Sequence, residues 1–593
     1  MKNTKGLYVI NKPYGISSQH AVQIVKYWAW RKTGDKKIKV GHGGTLDPLA
    51  TGVLVVAVGR EYTKNIDKIV ASEKEYVAEI FLGEVSETDD AEGRKSVVNK
   101  EIIPTSENIK KAVNSFVGEI AQMPPVYSAI KIDGQEAYKR VRRGEDIQMK
   151  SRKIHIHKIE VISYEYPIVK IRVICGKGTY IRSLARDIGK KIGTGAYLAS
   201  LVRMRVGNFS IENARNIDMF RTRVAVHAAE LDADRIDGTR VYIKEIFARI
   251  GALAKDDVFT IYHQGVFNKY LTPPKRKNYI LKKCAHVPFW TQTRFAWNIF
   301  LDKPDIVWIP LHNAPLFCRK NTKVVITIHD LAFKKFPHTF PKRDVYKLHF
   351  LTKIAVYRAD HIITVSQSTK EDLLAYYPYI KEEDVTVVYH GIDNEFWKKE
   401  STSERILQIL HMYGIQSEKY IIHTGAIQPR KNLKRLIDAF EKIKKDYVDM
   451  KLVLVGGRGW LWEGIEEYAK KSRYNNDIIF TGNISFEHVR ILMQNAKIFV
   501  FPSLYEGFGL PGIEAMATGI PVLAADNSSI SEVLGSAAIY FDENSSDAIA
   551  KAIDDVLCDE DLQQQMQKNG YKRSKEFTWD ESAKRTLTVL RKI

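Results

Sequence analysis

A glycine-rich, largely uncharged stretch near the start of the chain carries one histidine and one aspartate, in the string GHGGTLDPLATG at residues 41–52. Glycine allows tight turns, and a lone aspartate in such a loop usually caps a helix or stabilises a turn. A carboxylate held on a turn can also act as a nucleophile or base when its neighbours orient it. Asp47 is therefore the first candidate for chemistry in this chain.

A second candidate region lies near the other end, where PSLYEGFGLPGIEAMA at residues 502–517 holds two glutamates eight positions apart. Glu506 lies on a glycine-rich turn, and Glu514 lies where a helix begins, whose free N–H groups can bind phosphate. Upstream, GAIQPRKN at residues 425–432 follows a predicted strand and adds Arg430 and Lys431. Taken alone, such carboxylates are more often surface residues and helix caps, so their interpretation depends on the surrounding fold.

The elements that must position these residues differ along the chain. The first part mixes strands, at 74–82 and 169–175, with a basic helix at 182–192. From residue 223 onward, short apolar strands alternate with helices, which is typical of parallel sheets covered by helices on both faces. The predicted strands of this second part are 223–226, 324–328, 361–365, 385–389, 420–423, 451–455, 477–480, 498–501 and 521–524. Two such sheets fit, with a break near 394–418 and a helix near 241–250 in the first.

The first third, about residues 5–214, resembles the TruB family of pseudouridine synthases, which act on the T-loop of tRNA. The motifs that carry the resemblance stand in the order of the family: NKPYGISS at 11–18, the Asp47 loop, KEY at 74–76, QMPPVYSAIK at 122–131 and GKGTYIRSLARD at 176–187. The resemblance implies a mixed-sheet α+β catalytic domain that converts uridine at tRNA position 55 to pseudouridine. The chain departs from the family at Gly43, where many relatives carry a hydroxyl residue, and in lacking the RNA-binding PUA domain that many bacterial relatives add.

The same resemblance assigns roles to single residues. Asp47 would be the nucleophile or base, with its point of attack left open, and Arg182 would pair with it. Tyr76 would stack on the flipped base and take part in the final deprotonation. The implied RNA- and base-binding residues are His42, which fills the space left by the base, and Lys177, Tyr180 and Leu201, which line the pocket. The basic region 150–205 would hold phosphates of the tRNA T-arm.

Residues 222–593 resemble retaining glycosyltransferases of the GT-B fold, the large family four that uses nucleotide sugars. The resemblance places Glu506 on the donor sugar hydroxyls and Glu514 on the nucleotide ribose. Arg430 and Lys431 would neutralise the leaving diphosphate in place of a metal ion. In the first half, TIHD at 327–330 supplies His329 as the active-site histidine, and a loop at 238–240 beginning with Gly238 would face the diphosphate. The donor would be a hexose nucleotide such as GDP-mannose, and the acceptor, a polysaccharide, a lipid-linked or a small molecule, is open.

Bulk properties agree with a multidomain enzyme. A chain of 593 residues exceeds one core, and we expect three domains: 1–220, a pseudouridine synthase catalytic domain, followed by two Rossmann-like domains, 221–400 on the acceptor side and 401–593 on the donor side. The formal charge of +21 indicates an anionic partner such as tRNA, although a basic solvated surface without a ligand is the alternative. Residues 1–220 hold 37 Lys and Arg against 24 Asp and Glu. The four cysteines show neither metal-ligand nor redox spacing, and we expect no cofactor and no metal.

The start of the chain lacks the apolar run of a signal peptide, and no stretch approaches the ~20 apolar residues that span a bilayer. We therefore expect a cytoplasmic protein with two enzymatic activities. Three alternatives remain open. The first third could bind tRNA without catalysis, the two parts could be an accidental or engineered join, or the second part could glycosylate tRNA itself.

Overall fold

The computed structural model describes residues 4–98, 102–128, 130–132, 135–141, 143, 145, 147–233, 236–415 and 419–593. The first three residues of the predicted first domain and Ala129 of the 122–131 motif lie outside the described residues. The chain divides into two compact units, Met1–Arg221 and Thr222–Ile593. Each unit has hydrophobic cores of its own.

The first unit is built on one mixed sheet. From edge to edge its strands are Arg215–Asn216, Gly6–Lys12, Thr51–Val58, Ala196–Val206, Lys74–Leu82, Ile168–Cys175, Arg152–Glu165 and Gly118–Gln122, with Val40–His42 and Phe209–Ser210 paired beside them. Lys74–Leu82 alternates buried and half-buried residues, as the period of two requires for a strand with one core face. Two short hairpins, Glu84–Ser86 with Lys95–Val97 and Lys131–Ile132 with Gln135–Glu136, lie outside the sheet.

Helices cover this sheet. Those described in the first unit are Ser18–Thr33, Arg60–Thr63, Ile66–Ala71, Ser106–Asn114, Ala137–Val141 and Ile181–Ile192. Ser17 begins the first of them, because its side chain accepts a hydrogen bond from the His20 amide. Gly193 ends the last in a left-handed conformation that favours glycine.

The second unit contains two parallel sheets. The first has the order Tyr279–Lys283, Val258–His263, Arg223–His227, Ile306–Ile309, Lys323–Ile328, His361–Thr364 and Val385–Val387. The second has the order Ile478–Gly482, Lys451–Val455, Tyr420–Thr424, Ile498–Phe501, Val522–Ala525 and Ile539–Phe541. In each sheet the chain runs outward from its first strand and then returns to build the other side. Such a reversal creates a crevice at the carboxyl ends of the strands, where doubly wound proteins bind ligands.

The helices of the second unit lie on the faces of these sheets. They are Gly238–Leu253, Ala296–Asp302, Ala332–Lys335, Lys342–Arg358, Gln367–Tyr376, Asn394–Lys398, Ser403–Met412, Leu433–Ile443, Glu463–Lys471, Phe486–Gln494, Leu510–Thr518, Ser528–Leu534, Ser546–Leu557, Glu560–Ser574 and Trp579–Lys592, with a π-helix at Thr291–Phe295. The last helix shares a core with Gly238–Leu253, so the C-terminal end of the predicted donor domain packs on the first sheet's helices.

The predicted alternation of strands and helices is confirmed, and three strands, Lys74–Leu82, Lys451–Val455 and Ile498–Phe501, have the bounds that the sequence predicts. In the second unit four strands were not predicted: Val258–His263, Tyr279–Lys283, Ile306–Ile309 and Ile539–Phe541. In the first unit the sequence predicted only Lys74–Leu82 and Ile168–Cys175, the latter from residue 169, and missed the other strands. The predicted loop at 238–240 is wrong, because the helix expected at 241–250 begins at Gly238. The Asp237 side chain accepts a hydrogen bond from the Arg240 amide and starts the helix three residues earlier.

Candidate active sites

The loop that carries Asp47 joins the antiparallel strands Val40–His42 and Thr51–Val58. Two side chains fix its backbone on either side of Asp47. Ser18 Oγ donates to the Leu46 carbonyl over 2.9 Å and accepts from the Leu46 amide over 2.7 Å. The buried ammonium of Lys12 donates to the Pro48 carbonyl over 3.2 Å. Burial lowers the pKa of Lys12 to about 8, although the charge of Asp47 acts to raise it.

Asp47 is paired with Arg182, as the sequence predicts. The Arg182 Nε lies 3.0 Å from Asp47 Oδ2, and the arginine side chain is 7% exposed against 41% for the aspartate. The other guanidinium nitrogens donate to Asp90 over 3.3 Å and to the Tyr127 carbonyl over 3.0 Å. Asp90 and the Tyr127 carbonyl fix the position of the Arg182 guanidinium. Arg182 therefore sets the orientation of the Asp47 carboxylate.

Asp90 was not predicted as a site residue. It is buried, its Oδ1 accepts from Thr88 Oγ1 over 2.5 Å and from the Glu92 amide over 3.0 Å, and its Oδ2 faces Arg182. It therefore balances the buried guanidinium from the side opposite Asp47. The string ETDDAEG at 87–93 holds four acidic residues, and nothing in their spacing distinguishes the inward one.

A second arginine, Arg203, holds the other side of the Asp47 loop. It is 1% exposed and donates to the carbonyls of Val53 over 2.7 Å, Gly44 over 3.0 Å and Thr45 over 3.4 Å. It stands opposite Tyr76 in the register of strands Ala196–Val206 and Lys74–Leu82. Burial raises the pKa of the Tyr76 phenol, and the hydrogen-bonded Arg203 opposes that rise. Arg203 was also not predicted as a site residue.

The remaining predicted residues of the first site lie around this pair. Leu201 lines the same narrow cleft as Asp47 and Arg182. Tyr180 begins helix Ile181–Ile192; its amide donates to Gln122 Oε1, and burial together with the charge of Asp47 raises the pKa of its phenol. His42 is half-buried, and burial and Arg203 lower its pKa. Lys177 is exposed on the loop before the helix.

In the second unit, Arg430, Lys431 and Glu506 meet at the reversal point of the second sheet. They lie on the loops that follow its two neighbouring central strands, Tyr420–Thr424 and Ile498–Phe501. Arg430 Nη1 lies 3.0 Å from Glu506 Oε2, and Lys431 Nζ forms a short ion pair with Glu506 Oε1. Burial would raise the pKa of Glu506, but the two cations outweigh it and hold this pKa at about 2. The cluster thus keeps one net positive charge.

Serine residues after the next strand hold the backbone of Glu506. The Glu506 amide donates to Ser528 Oγ over 3.0 Å, and Ser529 Oγ donates to the Glu506 carbonyl over 2.9 Å. These serines were not predicted. Glu514, on helix Leu510–Thr518, differs from Glu506: burial raises its pKa to about 8, and no charge opposes that rise. The pKa of one glutamate is therefore held low and that of the other is raised.

His329 follows the central strand Lys323–Ile328 of the first sheet. Its Nε2 lies 3.0 Å from the Pro310 carbonyl, which assigns the proton to Nε2 and leaves Nδ1 as an acceptor. Burial, with the neighbouring His312, lowers the pKa of His329 to about 4, so the ring is neutral. A β-carbon at Gly507 would lie 1.8 Å from the His329 carbonyl oxygen. The histidine is thereby adjacent to the Glu506 loop.

Gly238 completes this arrangement. A β-carbon at Gly238 would lie 3.2 Å from Leu510 Cδ1, so the first residues of helices Gly238–Leu253 and Leu510–Thr518 face each other. The N-terminus of a helix carries the positive end of its dipole, which attracts phosphate. Together with the positive cluster of Arg430, Lys431 and Glu506, the two N-termini are suited to binding an anion.

No cluster of three or more His, Cys, Asp and Glu side chains that could hold a metal ion occurs within the described part of the chain. Among the same residues, none of the helices is both long and apolar enough to cross a membrane.

Comparisons with known proteins match three parts of the chain. Residues 31–181 match the profile of the TruB family pseudouridylate synthase N-terminal domain, residues 239–396 that of Glycosyltransferase Family 4, and residues 412–573 that of glycosyl transferases group 1. A tRNA pseudouridine synthase B of Parabacteroides distasonis is 46% identical over 202 residues, which cover 34% of this chain and 86% of that protein. The enzyme of the same name from Clostridium acetobutylicum is 47% identical over 205 residues, covering 35% and 68%.

The fold of the second unit has a counterpart among solved structures. A sucrose-phosphate synthase from Thermosynechococcus elongatus aligns with a TM-score of 0.51 and 18% identity, over 63% of this chain and 99% of that one. With the two glycosyltransferase profiles, this likeness confirms the GT-B arrangement of two Rossmann-like sheets. The mixed sheet of the first unit agrees with the predicted α+β catalytic domain.

Proposed function

Because the chain belongs to the TruB family of pseudouridylate synthases, we propose that its first unit converts the T-loop uridine at position 55 of tRNA to pseudouridine. The observation that carries this proposal is the Asp47–Arg182 ion pair at 3.0 Å in a cleft that Leu201 also lines. We further propose the domain ranges 1–220, 221–400 and 401–593. The division between Arg221 and Thr222 supports the first boundary.

In the proposed reaction, Asp47 acts as nucleophile or base while the N-glycosidic bond breaks, the uracil rotates and the C–C bond forms. Arg182 orients the carboxylate, and its own charge is balanced by Asp90. The target uridine leaves the T-loop stack, with His42 in the vacated space and Tyr76 and Tyr180 beside the base. Lys177 and the basic strands of 150–205 hold the phosphates of the T-arm.

The test uses unmodified tRNA transcript and the full chain, with Asp47→Ala as the inactive variant. Wild type should place pseudouridine in the T-loop, and the variant should bind the transcript with unchanged affinity but form none. Absence of pseudouridine with both proteins, together with tight binding, would assign the first unit to tRNA binding without catalysis.

The second unit is a glycosyltransferase by both of its profiles, and the finer assignment is part of the proposal. It transfers a hexose from a nucleotide sugar, such as GDP-mannose, to an acceptor with retention of configuration. The donor diphosphate lies between the N-termini at Gly238 and Leu510 and the cations Arg430 and Lys431. Glu506 and Glu514 bind sugar and ribose hydroxyls, and neutral His329 lies at the reacting end.

The electrostatics support this assignment. The leaving diphosphate gains charge in the transition state, and two fixed cations with two helix N-termini stabilise it without reorganisation. Since the cations take the part of a metal, transfer should persist in EDTA. Hydrolysis of GDP-mannose, UDP-glucose and other hexose nucleotides is the first assay, with Arg430→Ala as the variant. Loss of hydrolysis in EDTA, or full activity of Arg430→Ala, would contradict the assignment. We place both activities in the cytoplasm, where tRNA and nucleotide sugars occur together.

A further inference from the structure

Helix Lys342–Arg358 presents three large aromatic side chains to water. Tyr346, Phe350 and Tyr357 are 77%, 64% and 78% exposed. Their spacing of four and seven residues places them on one side of the helix. Large aromatic rings in a row are costly to leave in water, and such patches on proteins usually mark a contact with a partner.

Cations surround these rings. Lys342, Arg343, Lys347 and Lys353 are exposed on the same helix, and its one acidic residue, Asp344, is half-buried. Residues 285–360 hold twelve Lys and Arg against five Asp and Glu. The part of the chain that carries the exposed rings is thus basic.

Apolar side chains are also exposed on the neighbouring segment, which runs from Phe289, just before the π-helix Thr291–Phe295, to the strand Lys323–Ile328. They are Phe289, Trp297, Phe300, Leu301, Leu316 and Phe317. Phe289 and Phe317 are 83% and 82% exposed. Phe289 also has a positive φ of 53°, a conformation that is costly for a bulky residue.

Side-chain contacts join this segment to the helix. Arg358, the last residue of the helix, opposes the rise that burial causes in the pKa of the Cys318 thiol. The next residue, Arg319, stacks its guanidinium 4.2 Å from the centre of the Phe300 ring and donates to the Phe300 carbonyl over 2.7 Å. Thr352 Oγ1 lies 3.4 Å from His312 Nδ1. The segment and the helix are therefore adjacent, and we call their exposed aromatic and basic side chains together the aromatic–basic face.

We propose that the aromatic–basic face docks the second unit on an anionic phospholipid bilayer. Tyr and Trp favour the level of the lipid headgroups, Phe and Leu enter the acyl boundary, and lysines contact the anionic headgroups around them. A nucleic acid fits less well, because Leu301 and Leu316 cannot stack on bases as aromatic rings do. Three of the four exposed cations on the helix are lysines, whereas arginine is the usual partner of phosphates in nucleic acids. The inference goes beyond the two proposed activities, since it concerns where the second one operates.

The test measures binding of the full chain to vesicles by co-sedimentation. Vesicles of phosphatidylglycerol and phosphatidylcholine should bind the protein, and vesicles of phosphatidylcholine alone should bind it much more weakly. Lys342→Gln/Lys347→Gln/Lys353→Gln should weaken binding about 100-fold, since each lysine near an anionic surface contributes a several-fold factor. Tyr346→Ser/Phe350→Ser/Tyr357→Ser should weaken it by at least about 100-fold through lost apolar burial.

Matched controls use equally exposed residues elsewhere in the second unit. Lys551→Gln/Lys568→Gln/Lys572→Gln removes three exposed lysines, and Tyr270→Ser/Tyr379→Ser removes two exposed tyrosines. Both should bind vesicles as wild type does. Nucleotide-sugar hydrolysis and the unfolding temperature show whether each variant is folded. If the serine variant fails to fold, the glutamine variant, which changes only exposed charges, carries the test.

Three results would overturn the proposal. If tRNA affinity falls in the helix variants while vesicle binding is absent or unchanged, the partner of this face is RNA. If the serine variant converts a dimer to a monomer with no change in vesicle binding, the partner is a second copy of the chain. Binding that is equal for neutral and anionic vesicles would also contradict it, because the lysines would then have no role.

Discussion

Gly507 and His329 touch through their backbones: a β-carbon at residue 507 would lie 1.8 Å from the His329 carbonyl oxygen and 2.9 Å from Asp330 Cβ. Gly507 follows Glu506, and His329 ends a strand of the first sheet of the same unit. The contact between these two backbones therefore sets the distance from the proposed donor-binding glutamate to the proposed active-site histidine. No other residue type fits this approach, because any side chain would begin inside the carbonyl group.

Gly507→Ala should separate the two loops and reduce nucleotide-sugar hydrolysis about 100-fold, the size of effect expected from a shift of about 1 Å between reacting groups. Pseudouridine formation by the same protein should be unchanged and serves as an internal reference. Gly464→Ala, on helix Glu463–Lys471 with no close neighbour but a lysine tip, is the control and should behave as wild type. Normal hydrolysis by Gly507→Ala would show that the contact does not set the active geometry.

Asp90→Asn should lower the rate of pseudouridine formation while tRNA affinity stays constant. The substitution removes the charge that balances Arg182 opposite Asp47, and a hydrogen bond between charged groups contributes about 1.5–3 kcal/mol, or about 10- to 100-fold in rate. Single-turnover kinetics separate this loss from binding. Asp187→Asn, which removes a partner of Arg186 only, should change the rate little. A fall in tRNA affinity equal to the fall in rate would indicate a binding role for Asp90.

Arg203→Met should destabilise the first unit by about 3 kcal/mol, because the carbonyls of Gly44, Thr45 and Val53 lose a buried donor. Arg205→Met, two residues further on, is the control, because Arg205 is 31% exposed and pairs with Glu73 and Glu75 at the surface. This substitution should lower the free energy of unfolding by about 1 kcal/mol or less. Denaturant unfolding of both variants gives the comparison. An equal decrease in unfolding free energy in the two variants would mean that Arg203 stabilises the Asp47 loop no more than a surface arginine does.

The sequence predicts the fold classes and many of the elements because both depend on local patterns. Strands such as Lys451–Val455 are short apolar runs, and their alternation with helices specifies parallel sheets. Strand Tyr279–Lys283 was not predicted because it is not a purely apolar run: it lies at a sheet edge and ends in two lysines. Ile539–Phe541 has only three residues. The early start of helix Gly238–Leu253 depends on one capping contact of Asp237.

The sequence points to a site residue where that residue stands in a motif. It misses the residue where strand register decides which side chain is buried. Asp47, Arg182 and Glu506 stand inside motifs that resemble known families. Arg203 and Arg205 look alike in the sequence, since residues two apart normally share a face of a strand. The pairing with strand Lys74–Leu82 shifts register between them, so one arginine is buried against the loop and the other is half-exposed. Only the three-dimensional pairing contains that information.

Glu514→Gln should stabilise the protein at alkaline pH and leave its stability unchanged at acid pH. The pKa of Glu514 rises from an ordinary 4.5 to about 8 in the folded protein, so the folded state binds more protons than the unfolded state between these values. Stability of the wild type therefore falls as pH rises through this window. The uncharged glutamine removes this dependence, and the difference in unfolding free energy between the two proteins should grow from about pH 4.5 to about pH 8. Denaturant titrations at pH 4, 6 and 9 measure it, and a difference that is constant across them would show that Glu514 is ionised in the folded protein.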